Sequence, residues 1–456
     1  MTDIQNIVEK QHRFFKSGKT KDTSFRLRQL KKLKRILQEN EQEIFDALDN
    51  DFKKPAYETY ATELGILYME INHLTGNLEK WAKPQKVSGS IINFPSTNYI
   101  YSEPYGVSLV IGAWNYPLQL SLNPVLGSIA AGNCTIIKPS ELAPNTSSLL
   151  AEIINKRFDE GYLKVVEGAA ETTQALLSEP LDHIFFTGST RVGKIIMKAA
   201  AEQLTPVTLE LGGKSPAIVD KTADIHSTAK RIAWGKFVNA GQTCVASDYV
   251  YVHESVKESF LKTLKEEITK FYGSDPKKSP DYARIINEDH FNRLKQFLNN
   301  GNMYMGGPNN EEELYIAPTI LTDITWDDPI MQEEIFGPIL PILSFGNMDE
   351  VIDTLQDKPK PLALYIFSED AKNQQKIISS LSFGGGCIND TVAHLGNHNL
   401  PFGGIGNSGI GNYHGKASFD TFSHQKSIME KTTWFDNPLR YPPYNGALKW
   451  LKKLIN

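Results

Sequence analysis

Apolar positions recur every three or four residues through the first ninety residues, the spacing of one buried helical face. Leu27, Leu30, Leu33, Leu37, Ile44 and Leu48 share that face, with Thr23 and Ser24 as expected caps ahead of it. A second helix is predicted from Tyr57 to Trp81, ending before Pro84. After residue 100 the period changes: short β-branched runs alternate with helical stretches. Strands are predicted at Val107–Ala113, Cys134–Lys138, Lys164–Glu167 and His183–Phe186, with helices running to Ala131, following Pro144, and from Arg191 to Glu202. Strands alternating with helices imply crossover connections and a parallel sheet, the layout of a dinucleotide-binding half. A second alternating region offers strands at Ala217–Val219, Tyr249–His253, Ile339–Leu343, Leu364–Phe367 and Cys387–Asn389, and helices at Val256–Phe271 and Glu288–Asn299. Beyond Asn407 come glycine-rich loops, then a polar strand at Thr421–Met429. The expected fold is α/β: residues 1–208 hold the N-terminal helices and a Rossmann-like domain, 209–408 a second α/β domain, and 409–456 a strand and tail.

Composition narrows the function. The chain has 456 residues, 40% hydrophobic and 22% charged, with a net charge of −5. That excludes low-complexity disorder and argues against a nucleic-acid partner, which needs a basic footprint. Eleven basic residues against Asp22 between Lys10 and Arg35 read as the solvated side of a helix with an apolar stripe. The most apolar run, Val107–Trp114, falls far short of the ~20 residues of a membrane span. The N-terminus has no apolar signal core, so a cytoplasmic protein is expected. Three cysteines, Cys134, Cys244 and Cys387, make no disulfide framework and no metal knuckle.

Four segments carry candidate chemistry. Gly188-Ser189-Thr190-Arg191-Val192-Gly193 follows a strand and opens a helix, where backbone N–H groups can meet a phosphate; with Thr190 at the middle glycine of the fingerprint, a plain strand-to-helix turn is an equal reading. Gly241-Gln242-Thr243-Cys244 gives a cysteine small neighbours, as an approachable thiolate requires, although a lone cysteine is more often a small buried hydrophobe. Glu210 ends an apolar strand before Gly212 and Gly213, as a base or as a turn residue. Asn115, at a strand end before Pro117, offers an amide to an oxyanion or simply shapes the turn.

Together these segments resemble the aldehyde dehydrogenases. Phe237…Gly241-Gln242-x-Cys244 is similar to that family's cysteine signature, and Leu209-Glu210-Leu-Gly-Gly-Lys-Ser-Pro216 to its glutamate signature. Trp114-Asn115-Tyr116-Pro117, Lys138-Pro-Ser-Glu141, Glu333-Glu334-Ile-Phe336-Gly-Pro338 and Leu400-Pro401-Phe402-Gly-Gly404 extend the resemblance over most of the chain. The short N-terminus, Gly406–Gly411 and Arg440–Tyr444 look most like the class 3 branch, which takes fatty and aromatic aldehydes. The resemblance implies Cys244 as nucleophile, Asn115 with the Cys244 N–H as alkoxide donors, and Glu210 as the base that activates water, with no metal. It implies NAD as cofactor: Lys138 and Glu141 at the adenine ribose, Gly188, Ser189 and Gly193 at the pyrophosphate, and Trp114, Glu334 and Phe336 on the nicotinamide side. Glu141 would repel a 2′-phosphate, although the branch leaves NADP open. Tyr116 and Phe402 would line the substrate tunnel, with core packing as their rival role.

The rivals to aldehyde oxidation are a cysteine-dependent esterase or thioesterase, which would not need the dinucleotide motifs, and a non-catalytic relative, which should have lost Cys244 or Glu210. The family also implies a homodimer joined through extended strands, here Asn98–Glu103 (in a bridging segment near 96–105) and Thr421–Met429. At the C-terminus, Leu448, Leu451 and Leu454/Ile455 share a helical face flanked by Lys449, Lys452 and Lys453. That helix is expected to dock on its own dimer, with weak membrane contact as the rival reading.

Overall fold

The computed structural model describes residues 3–455. Its first sheet has the order Gly409–Ile410, Val207–Glu210, His183–Thr187, Val107–Ile111, Cys134–Lys138, Leu163–Val165. The five longer-range strands are parallel, and Gly409–Ile410 adds antiparallel to Val207–Glu210. All residues of Val107–Ile111 and Cys134–Lys138 are buried, as expected of central parallel strands covered on both faces. The helix Pro117–Ala131 is buried at every position, which explains why its sequence shows little amphipathic contrast. It starts with Pro117 in its first turn and stops at Gly132, whose φ of 100° few other residues adopt.

The second sheet has the order Asn302–Met305, Thr319–Thr322, Ile339–Phe345, Tyr249–His253, Pro216–Val219, Ala363–Phe367, Gly385–Ile388. Only Asn302–Met305 runs antiparallel. Sequence periodicity missed Asn302–Met305 and Thr319–Thr322, each only four residues long. The switch between the sheets falls in the segment between Glu210 and Pro216, next to the glutamate and the two glycines.

Several expectations change. The first cap lies one residue earlier than predicted: Asp22, not Thr23 or Ser24, caps the helix Thr23–Glu39 by accepting from the Ser24 N–H. The basic stretch is not wholly solvated, because the buried Arg26 guanidinium donates to the carbonyls of Thr20 and Lys21 and, at 3.1 Å, of Ala130 in the last turn of the Pro117–Ala131 helix. The single helix expected at Tyr57–Trp81 is split into Ala56–Thr59, a π turn at Tyr60–Leu64, and Gly65–Trp81. The strand expected at Lys164–Glu167 is Leu163–Val165. Ser96–Pro104 is not an exposed edge: it is the centre of a three-stranded sheet, paired with Gln85–Val87 and with Ser423–Lys431. The open edge is Ser423–Lys431, where Ile428 and Met429 are exposed, and Thr421 belongs to the preceding helix Lys416–Thr421. The C-terminal helix forms at Ala447–Ile455, but Leu448, Trp450, Leu451 and Ile455 stay exposed on the single chain. Asn456 and the Leu454 side chain lie outside what is described. Among the described residues no helix is long and apolar enough to cross a membrane.

Candidate active site

The helix Ile225–Phe237 ends in a turn that delivers Cys244. Asn239, Ala240 and Gly241 take φ of 54°, 51° and 74°, three left-handed residues in succession. Each such non-glycine residue costs about 1–3 kcal/mol and persists only where its surroundings hold it. Gly241 is obligatory on a second ground: a Cβ there would collide with the Gly337 carbonyl. The holding bonds converge on the turn. The Asn239 amide donates to the carbonyls of Asn115 (2.9 Å) and Gln242 (3.1 Å), and its backbone N–H donates to Glu58 (2.9 Å). The buried Gln242 side chain donates to Asn239 (3.1 Å) and Arg284 (2.9 Å) carbonyls and accepts from the Ile286 N–H (3.0 Å). Asn115 donates through Nδ2 to the Gln242 carbonyl at 3.0 Å, which fixes its amide beside the cysteine turn.

Tyr116 packs on the other side. Its hydroxyl meets Thr243 Oγ1 at 2.6 Å, and its ring lies 4.0 Å from the buried Lys54 Nζ. Lys54 pairs with the buried Glu63 at 2.6 Å, whose other oxygen accepts from the N–H groups of Leu118 (2.9 Å) and Gln119 (3.2 Å). Glu63 therefore sits at the positive end of the Pro117–Ala131 helix, where a carboxylate is stabilised by up to ~2 kcal/mol.

Three acidic groups share the pocket. Burial pushes the Cys244 thiol up to about 12, reinforced by Glu334 and Glu210 and opposed by the N–H groups of Cys244 and Val245. Glu210 is 2% exposed, and among the described residues neither carboxylate oxygen has a hydrogen-bond partner. Burial alone lifts its carboxyl well above the usual range. Its backbone is locked between Thr187 and Gly409, and its carbonyl accepts from the Gly188 N–H at 3.0 Å. Glu334 is raised to about 8 by burial and by Asp248, with the Gly213 N–H pulling the other way. A Cβ on Gly212 would collide with the Glu334 carboxylate, so the glycine pair makes room for it. Phe336, at φ 50°, meets Trp114 edge-on at 5.2 Å between ring centres.

The remaining expected residues lie further along. Lys138 Nζ donates to Glu141 (2.8 Å), the Pro139 carbonyl (2.9 Å) and the Gly168 carbonyl (2.7 Å), so its three donors are engaged within the chain. Ser189 caps the helix Thr190–Ala201, accepting from the Val192 N–H at 3.3 Å. Gly188 and Gly193 serve close packing as well: a Cβ on either would crowd Phe186 or Leu211. Phe402 is buried, stacks on His414 at 5.4 Å, and exchanges backbone bonds with Tyr413. Sequence reading missed Lys54, Glu58, Glu63, Gln242 and Tyr413. Tyr413 is buried within electrostatic reach of both Glu210 and Cys244 and bonds Gln119. The available signal was charge within a helical segment that closes against the core, Lys54, Glu58 and Glu63 in ten residues.

The aldehyde dehydrogenase family model matches residues 1–428. The chain belongs to the aldehyde dehydrogenase family. It is 50% identical over 453 residues to 4,4'-diaponeurosporen-aldehyde dehydrogenase of Staphylococcus aureus, covering 98% of this chain and 99% of that one. It is 45% identical over 445 residues to the dimeric NADP-preferring aldehyde dehydrogenase of Rattus norvegicus, covering 97% and 98%. A solved substrate-bound state of Staphylococcus aureus AldH superposes with a TM-score of 0.98 at 49% identity, covering all of both chains.

This dehydrogenase uses NAD(P), as its family does, and its residues fit the group. A cavity of about 570 Å³ lies between Thr190, Gly212, Gly213 and Glu334 on one side and residues 357–361 on the other; of the residues expected at the cofactor, Glu334 alone lines it. The partly exposed carboxylate of Glu141, steadied by Lys138, offers acceptors for ribose hydroxyls.

Gly241→Ala tests how strictly the turn is set. It should lower kcat/KM by roughly 10²-fold, the cost of a small misplacement at a reacting centre, while dinucleotide binding followed by fluorescence stays within a few-fold of the parent.

Proposed function

We propose that Cys244 is the nucleophile in the oxidation of medium- or long-chain aliphatic or aromatic aldehydes to carboxylic acids. The observation that carries this is a cysteine with two backbone donors at its sulfur and, within electrostatic reach of it, a buried carboxylate with no hydrogen-bond partner among the described residues. Sγ adds to the aldehyde carbon, and the thiol proton leaves to a neighbouring carboxylate. An ordinary carboxylate, with a pKa of ~4.3, is a feeble acceptor near neutrality; Glu210 and Glu334, both raised by burial, hold a proton far better. The alkoxide of the resulting thiohemiacetal is held by the Asn115 amide and the Cys244 N–H. NAD, when bound, accepts the hydride. The acyl group remains on Sγ as a thioester. Glu210 then takes a proton from water, and the attack releases the acid.

Glu141 beside the ribose position supports NAD over NADP. Tyr116 and Phe402 supply aromatic walls for an apolar substrate, in keeping with a relative named for a diaponeurosporen-aldehyde. We assign residues 1–208 to cofactor binding, 209–408 to the nucleophile and 409–456 to assembly. A cytoplasmic homodimer fits three free cysteines, the open Ser423–Lys431 edge and the uncovered apolar stripe of the C-terminal helix.

Five outcomes test these assignments. Cys244→Ser should abolish aldehyde oxidation and leave dinucleotide binding near normal; activity above a few per cent would remove Cys244 from the role. Glu210→Gln should give a burst of reduced cofactor matching the number of sites, then turnover slowed ~10²–10⁴-fold. In the parent, deacylation should slow as pH falls through the raised Glu210 value, because only the carboxylate form can take the water proton. Steady-state kcat/KM across an aldehyde panel should rise with chain length or aromatic content and be higher with NAD than with NADP. Light scattering at micromolar concentration should give the mass of a dimer.

A further inference from the structure

We propose that Glu58 is a positioning residue for the reaction: its carboxylate holds the strained Asn239 N–H and through that turn sets the Asn115 amide and the Cys244 loop. The inference rests on the roles proposed above for Asn115 and Cys244.

The geometry has three links. Glu58 Oε2 accepts from the Asn239 N–H at 2.9 Å. Asn239, left-handed at φ 54°, uses its side-chain amide to clamp the Asn115 and Gln242 carbonyls. Asn115 in turn donates to the Gln242 carbonyl, two residues before the cysteine. The buried Asn239 N–H needs an acceptor, and it takes one from a side chain far away in the sequence. Glu58 supplies it with a charge-assisted bond.

The π turn at Tyr60–Leu64 accounts for the reach. In an α-helix, residues five apart lie about 140° apart around the axis, so Glu58 and Glu63 would face different ways. The inserted residue lets both turn inward. The bulge is built in at Gly65, where a Cβ would crowd the Tyr60 carbonyl. Glu63 then takes Lys54 and the helix N-terminus, and Glu58 takes the nucleophile turn. Besides the Asn239 N–H, the groups facing Glu58 are Lys54, Asp281 and the phenols of Tyr116, Tyr272 and Tyr282, with Glu63 beyond Lys54. Lys54 is shared with Glu63 and so only partly offsets Glu58; burial leaves the Glu58 carboxyl near 7.

The test compares Glu58→Ala and Glu58→Gln with the parent and with Cys244→Ser. Glu58→Ala should slow the single-turnover hydride burst by ~10-fold or more, while dinucleotide affinity stays within about twofold. Glu58→Gln, which keeps an acceptor, should recover most of that loss. In a cycle with Asn239→Ala, the double variant should be no slower than the worse single variant, because both act through one turn. If Glu58→Ala does not fold, pH profiles of the parent and Glu58→Gln decide. The parent burst should weaken as pH falls through about 7, where the carboxyl protonates and becomes a poorer acceptor, and Glu58→Gln should lack that component. A normal burst in Glu58→Ala, no recovery in Glu58→Gln, or identical pH profiles would overturn the assignment of Glu58. Survival of activity in Cys244→Ser would instead overturn the reading on which it rests.

Discussion

The site depends on a backbone conformation that a free chain avoids. Asn239, Ala240 and Gly241 are all left-handed, and the cost of keeping them so is of the order of several kcal/mol. No single bond offsets that. The Asn239 and Gln242 side chains of the turn itself act together with the Glu58 carboxylate and the close approach of Gly337, which come from distant parts of the chain. Their common result is that Thr243 and Cys244 leave the turn in one fixed arrangement, with the Asn115 amide bonded beside them.

Electrostatics follows from the same packing. A buried thiol beside two carboxyls is a poor acid, and two buried carboxyls are unusually good bases. The pocket therefore has no group ionised for free. It moves a proton from sulfur or water to a carboxylate whose proton affinity is already high. Burial is what keeps Glu210 in that state, and among the described residues no donor reaches its oxygens to lower its pKa.

Chain topology brings Glu210 within electrostatic reach of Cys244. Glu210 closes the last parallel strand of one sheet, and the chain passes through two glycines into the other. Gly409–Ile410, two hundred residues later in the fold, returns to pair with Leu209 and Glu210 and pins the strand from its open side. The Ser423–Lys431 strand then crosses to Ser96–Pro104 and leaves an unpaired edge. The C-terminal section thus fastens the strand that carries Glu210 and ends the three-stranded sheet in an open edge.

The sequence by itself determined the α/β alternation, most strands of both sheets and the family. Those features are written locally: β-branched runs, turn glycines and short motifs whose spacing survives without tertiary context. Only the tertiary structure decided that Ser96–Pro104 is a central strand, that Arg26 is an anchor for the Pro117–Ala131 helix, and that Lys54, Glu58, Glu63 and Tyr413 surround the site. The physical reason is the same in each case. A strand's position in a sheet and a charged side chain's burial depend on partners far away in the chain, such as Ser423–Lys431 for one and Asn239 for another, and periodicity within a segment carries no record of them.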